Sequence, residues 1–251
     1  MSSPFDLSGK VALVTGGSRG LGQGIAHALA QSGADIAVAG MATPTETEAL
    51  VRGAGRRFVS ISADLGSIAP VDRIVAETIA GAGRLDILVN NAGIIRRADA
   101  VDFTEKDWDD VIDVNLKSAF FLAQAAGRVM IAQGAGKIIN IASMLSFQGG
   151  IRVPSYAASK SGIAGITRLL ACEWAGKGVN VNAIAPGYMA TDNTEQLRAD
   201  PQRSRDILAR IPAGRWGESA DIGGAAVFLA SAASDYMHGA IIPVDGGWLA
   251  R

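Results

Sequence analysis

Cysteine occurs once in this 251-residue chain, at Cys172, so no intrachain disulfide can form. Histidine occurs twice, at His27 and His238, and one cysteine beside them does not make a Cys/His zinc site. Aromatic residues amount to 6%, so a composition that is 49% hydrophobic must build its core from Ala, Val, Ile and Leu. Neither sign of charge dominates: 23 Lys and Arg stand against 24 Asp and Glu, interspersed, for a net charge of -1. That balance argues against a nucleic-acid footprint and a membrane-surface patch. No apolar run reaches the ~18 residues of a spanning helix, and MSSPFDLSGK lacks a basic-then-apolar signal segment. The expectation is a cytoplasmic protein without metal, nucleic-acid or membrane partners.

Glycine, by contrast, is abundant at 31 residues, and short apolar runs alternate with longer helical stretches. The candidate strands are 11–15, 35–40, 57–62, 86–90, 137–143, 180–186 and 240–245, and most are near-continuously apolar, as expected of strands covered on both faces. Helical patterns lie between them, clearest at 22–32, 68–82, 107–133, 155–176 and 219–231. Strands alternating with helices imply βαβ crossovers. The predicted fold is α/β: a doubly wound parallel sheet of seven strands, Rossmann-like, in a single domain spanning 1–251. The stretch 187–218 shows no clear element and follows the sixth strand, on the side where such sheets bind ligands. A loop that long is usually functional, and it is predicted to be a substrate lid carrying one or two short helices.

The first strand runs into TGGSRGLG, with Gly16, Gly20 and Gly22 at a strand-to-helix turn and a helix opening at about Leu21. Glycines let a backbone approach a pyrophosphate, and a helix N-terminus offers free N–H groups to it. The loop residues Gly16, Ser18, Arg19, Gly20, Leu21 and Gly22 are therefore candidates for a dinucleotide. Asp64 and Leu65 follow the third strand, where Asp64 either meets the adenine or caps a helix. Asn91, Ala92 and Gly93 follow the fourth strand and face the adenosine ribose. The acid expected about twenty residues past the glycines is missing from VAGMATPTE, which has none before Glu46. No arginine stands there to hold a 2′-phosphate either, although Arg19 in the glycine loop can serve. The choice between NAD and NADP stays open on these residues.

Tyr156 and Lys160 are spaced to share one helix face, and Ser143 stands thirteen residues before Tyr156. A phenol's pKa of about 10 is too high for easy proton exchange at neutral pH, and a nearby ammonium is expected to lower it. Ser143 ends a strand and can hydrogen-bond a substrate oxygen. Asn115 is a polar residue within a long helix, either satisfied by backbone or holding a water in a proton relay to Lys160. Pro186 and Gly187 would shape a nicotinamide pocket, and Thr191 could bond the carboxamide. Arg96, Arg97 and Arg152 are candidates for a substrate carboxylate, with Arg152 best placed by sequence. Gln148 is a candidate for sugar hydroxyls, and Tyr188 and Met189, at the start of the lid, for covering the substrate.

In order and spacing, TGGSRGLG, NNAG, Asn115, Ser143, YAASK and PG resemble the motifs of the short-chain dehydrogenase/reductase family, and the resemblance covers the whole chain. It implies a catalytic set of Asn115, Ser143, Tyr156 and Lys160. It also implies hydride transfer between nicotinamide C4 and a carbinol carbon, and commonly a homotetramer. IIRRADAVDFTEKDWDDV, IASMLSFQGGIRVPSY, NAIAPGYMATDNTEQLRAD and IPAGRWGE resemble a bacterial branch of that family. That branch acts on an acidic keto sugar of hexuronate breakdown and typically uses NAD(H). Two alternatives remain beside it: reduction of another keto acid or a 3-oxoacyl thioester, and a cofactor-sensing binding protein on the same fold.

Overall fold

The computed structural model describes residues 3–251. Seven strands form one sheet: β1 (Val11–Thr15), β2 (Asp35–Gly40), β3 (Phe58–Ser62), β4 (Ile87–Asn90), β5 (Gly136–Ile141), β6 (Val179–Pro186) and β7 (Ile241–Val244). Their order is β3-β2-β1-β4-β5-β6-β7, and every pairing is parallel. The strand order reverses between β1 and β4, so the loops leaving those two strands diverge and open a crevice. The helices that return the chain are α1 (Gly20–Gln31), α2 (Thr45–Gly53), α3 (Val71–Ala82), α4 (Glu105–Ile112), α5 (Ser118–Gln133), α6 (Pro154–Trp174) and α9 (Ser219–Ala230). Two short ones, α7 (Glu195–Ala199) and α8 (Pro201–Leu208), lie in the stretch after β6. Among the described residues no helix is long and apolar enough to cross a membrane.

Side chains alternate between two cores, one on each face of the sheet. Ala12 and Val14 of β1, Ile36 and Val38 of β2, and Ile87 and Val89 of β4 face Ile25 and Leu29 of α1 and Ile222 and Leu229 of α9. Leu13, Ala37 and Leu88, from the same strands, face Ile74 of α3, Leu122 and Met130 of α5, and Leu170 and Trp174 of α6. A period of two with both phases apolar explains why the strands read as unbroken hydrophobic runs.

The helices differ from the sequence reading in three places. The helix expected over 107–133 begins at Glu105, where Thr104 caps it by accepting from the Asp107 N–H at 3.1 Å. It is then interrupted by a π-helical turn, Asp113–Lys117, with Asn115 at its centre. The helix expected from 68 begins at Val71. Helix α2 has no counterpart in that reading, because only Thr47 and Val51 of it are buried and it carries no apolar stripe.

The long stretch after β6 is anchored at both ends. Gly187 donates to the Val244 carbonyl at 3.0 Å. A Cβ at Gly187 would lie 2.5 Å from the Asp245 Cα, so β6 and β7 can leave the sheet side by side only with glycine there. Met189 and Gly217 then form an isolated parallel bridge, with Gly217 donating to Tyr188 at 2.9 Å and Ala190 to Gly217 at 2.7 Å. The residues between 190 and 216 are thus a closed excursion from the sheet.

Candidate active site

The C-terminal strand ends bring together what the sequence keeps apart. Ser143 follows β5 by two residues, Tyr156 and Lys160 stand one turn apart near the start of α6, and Asn115 lies in the π-helical turn. Lys160 is buried, with 4% of its surface exposed, and its Nζ donates to the Ile141 carbonyl at the end of β5 at 2.6 Å. Burial brings its pKa down to about 8. The same Nζ lies 5.6 Å from the centroid of the half-buried Tyr156 ring. Burial pushes the Tyr156 phenol above its ordinary value, against the opposing pull of a hydrogen bond with the Ser143 hydroxyl and of the Arg97 charge. The expectation that Lys160 would set the phenol below its ordinary value is therefore corrected. One of the three ammonium N–H groups goes to a backbone carbonyl, and desolvation of the phenolate dominates.

Asn115 is nearly saturated by protein. Its Oδ1 accepts from the Ile94 N–H at 2.8 Å, and its Nδ2 donates to the Ile94 carbonyl at 2.9 Å and the Ser159 hydroxyl at 3.3 Å. One Oδ1 lone pair stays free. The amide therefore fixes the loop after β4 against α6, and a π turn, a feature frequent at functional sites, delivers it there.

At the crevice between β1 and β4 the backbones approach closely. A Cβ at Gly22 would sit 2.5 Å from Asn91 Nδ2, and one at Gly16 would sit 3.0 Å from the Ala92 Cα. The glycine loop therefore lies directly on the end of β4. Arg19 is the N-cap of α1, and no side chain caps the first N–H groups, which leaves them for an anion. Asn91 spends its amide on the loop rather than on a ligand: Nδ2 donates to the Thr15 carbonyl at 2.9 Å and the Gly16 carbonyl at 3.1 Å. Thr15 Oγ1 in turn accepts from the N–H groups of Asn91 and Ala92, each at 3.0 Å.

Other cofactor candidates fall into place unevenly. Ser18 is half-buried, and Gly20 and Gly93 lie at the crevice. Leu21 is half-buried and packs on one core, and Leu65 is buried in the other, so only the backbone of Leu65 can meet a ligand. Asp64 is exposed and accepts from the Gly66 N–H at 2.8 Å, closing its own turn rather than capping α3. Pro186 is buried at the end of β6. Thr191 and Thr194 form a reciprocal capping box, and the Thr191 Cγ2 would lie 3.8 Å from a Cβ at Gly20. The stretch after β6 thus begins directly over the mouth of α1.

The profile of the family described as enoyl-(acyl carrier protein) reductase matches residues 16–249. This chain belongs to the short-chain dehydrogenase/reductase family. It is 63% identical to the 2-dehydro-3-deoxy-D-gluconate 5-dehydrogenase of Escherichia coli (strain K12), over 99% of each chain. It is 62% identical to the enzyme of the same name from Dickeya dadantii (strain 3937), over 98% of each. A solved structure from Agrobacterium tumefaciens, provisionally named a 2-deoxy-D-gluconate 3-dehydrogenase and holding NADP, superposes with a TM-score of 0.94 at 58% identity over 100% of both chains.

On the substrate side of this short-chain dehydrogenase the three arginines separate. Arg96 is taken by α4, with Nε 3.4 Å from Asp107 and Nη2 3.3 Å from Asp110. Arg152 pairs with Asp99 at 3.1 Å and holds a left-handed backbone, φ 63°, the one non-glycine residue to do so among those described. Sequence position favoured Arg152, but its guanidinium already pairs with an aspartate at the surface. Arg97 has no carboxylate within ion-pair distance among the described residues; its Nη2 donates to the Asn193 carbonyl at 2.9 Å, and its charge reaches Tyr156. Met189 is corrected more firmly: it is buried in the core, 4% exposed, and cannot cover a substrate. Tyr188 stacks edge-on with Trp216 and Trp248, centroids 5.6 and 4.7 Å away. The Trp248 indole donates to Gln148 Oε1 at 3.4 Å, which leaves the Gln148 amide hydrogens for a ligand. Sequence reasoning missed Trp248, a lone aromatic three residues from the C-terminus with no local pattern.

The buried lysine yields a stability test. Its folded pKa of about 8 lies below its ordinary 10.5. Below pH 8 the folded state carries a desolvated ammonium and bears the full cost. Between those values the folded lysine has lost its proton while the unfolded one keeps it, so stability rises with pH. Relative to Lys160→Met, the wild type should gain up to about 3 kcal/mol across that window at 1.36 kcal/mol per pK unit. Urea unfolding of both proteins at pH 7.5 and 10 measures this; an unchanged difference would contradict it.

Proposed function

We propose that this enzyme transfers a hydride between NAD(H) and the 5-position of 2-dehydro-3-deoxy-D-gluconate, a step of hexuronate degradation. The observation that carries this is the joint presence of the Ser143–Tyr156–Lys160 cluster and an unneutralised Arg97 beside it. Family membership and the names of the relatives at 62–63% identity support the substrate. A nicotinamide bound in the crevice supplies the hydride donor or acceptor. The chain's residues do the rest. Ser143 holds the substrate oxygen, and Tyr156 passes a proton to or from it. Lys160 and Asn115 fix the end of β5 and the loop after β4 on either side of that oxygen. The stretch 187–218 acts as a lid, and the Gln148 amide faces the sugar hydroxyls. NAD(H) is the expected cofactor; NADP in the Agrobacterium structure makes NADP(H) the alternative. On family grounds we expect a cytoplasmic homotetramer, and sedimentation should return the mass of four chains rather than one.

Purified protein given 2-dehydro-3-deoxy-D-gluconate and either nucleotide should show turnover by the change in reduced-nicotinamide absorbance. Tyr156→Phe, which removes one hydroxyl and keeps the ring, should lose most of it. No turnover with this keto acid, beside turnover of a 3-oxoacyl thioester, would move the assignment to acyl reduction.

Arg97 is the residue to bind the substrate carboxylate, because a forked guanidinium suits a carboxylate and the other two arginines are already paired. A charge-assisted hydrogen bond is worth roughly 1.5–3 kcal/mol. Arg97→Ala should therefore raise KM for the keto acid about ten- to a hundredfold, with little effect on a neutral analogue. Arg152→Ala should change KM far less. Equal effects of the two variants in steady-state kinetics would remove Arg97 from this role.

A further inference from the structure

Arg19 does not point freely from the glycine loop. Its Nη1 lies 3.1 Å from the Asp192 carboxylate, so the loop that cradles the cofactor is tied to the first residue of a short helical turn in the lid. The Asp192 end of this tie is held in place. The Thr191–Thr194 capping box fixes the turn, and the Arg198 Nη2 donates to the Thr191 carbonyl at 3.2 Å. On the other side of the loop, the end of β2 lies against its first glycine: the Gly16 N–H donates to the Ala39 carbonyl at 2.8 Å. That strand end, Gly40 to Pro44, carries neither an acid to select a ribose 2′-hydroxyl nor a base to hold a 2′-phosphate. The other charged group near the loop is the Glu46 carboxylate, 3.4 Å from Gln23 Nε2, whose amide also reaches the Ser18 carbonyl at 3.4 Å. Arg19 is thus the one cation of the glycine loop, and an aspartate in the lid already holds it.

We propose that Asp192 sets the cofactor preference of this enzyme by keeping Arg19 from a 2′-phosphate. NADP must take the guanidinium from the lid aspartate, whereas NAD leaves the pair intact. The proposal rests on the nicotinamide-cofactor part of the function above and is independent of which keto acid is reduced. Both partners are exposed, 78% and 67% at their side chains, and exposed pairs are weak. The expected discrimination is therefore modest, about two- to fivefold.

The test is direct titration of the substrate-free protein with NAD and with NADP, followed by calorimetry. Asp192→Asn should tighten NADP about two- to fivefold relative to NAD. The same substitution in an Arg19→Ala background should leave the NADP-to-NAD ratio where Arg19→Ala alone puts it. Adenosine 2′,5′-bisphosphate and AMP, titrated in the same way, should reproduce the ratio change without the nicotinamide half. Equal tightening of NAD and NADP would mean simple repulsion by Asp192 and would overturn the proposal. So would an unchanged ratio, or a ratio change that persists without Arg19. Because no turnover is read, a wrong substrate assignment leaves this result unaffected.

Discussion

Where two parallel strands part company, their backbone groups lose each other as partners and must find new ones. In this molecule that happens between β1 and β4, and two side chains solve it. Asn91 reaches back to the carbonyls of Thr15 and Gly16, while the Thr15 hydroxyl collects the N–H groups of Asn91 and Ala92. This small knot holds the glycine loop against the end of β4, opens the crevice beside it and aims the start of α1 into that crevice. The approach is so close that no side chain fits at Gly22. The cofactor cradle therefore follows from a strand-end satisfaction problem, and Asn91 serves a ligand mainly by serving the backbone.

The proton-handling side follows a different logic. A lysine is driven into a dry position and held by one carbonyl, that of Ile141. Its lowered pKa records a cost accepted at the site. The tyrosine beside it is also resisted by burial. Both groups are kept less charged by the fold than water would keep them. In such a setting a newly arriving charge acts strongly, because little solvent screens it. Arg97 is exposed at the rim of this site, where solvent screens it.

Much of this was legible in sequence because the signals were local. Apolar strand runs marked the parallel sheet, the glycine spacing marked the crevice, and Tyr156 with Lys160 announced themselves by one helical turn. What sequence could not rank was the partnering of like residues. Sequence position favoured Arg152 over Arg96 and Arg97, and only the structure shows which aspartates take Arg96 and Arg152. Met189 stands next to Tyr188, yet a bridge to Gly217 turns it inward. The Arg19–Asp192 pair joins residues 173 positions apart, by their numbers in the chain. The π turn at Asn115 reads as ordinary helix because its composition is that of a helix.

The bridge between Met189 and Gly217 has one more consequence. It pins the two feet of the excursion to each other, and closure entropy grows only slowly with the length of a loop whose ends are already joined. The residues from 190 to 216 can therefore lengthen, shorten or change in kind while the strands beneath them keep their register. The excursion and the scaffold become separately inheritable: a descendant can rewrite the one without renegotiating how the other folds.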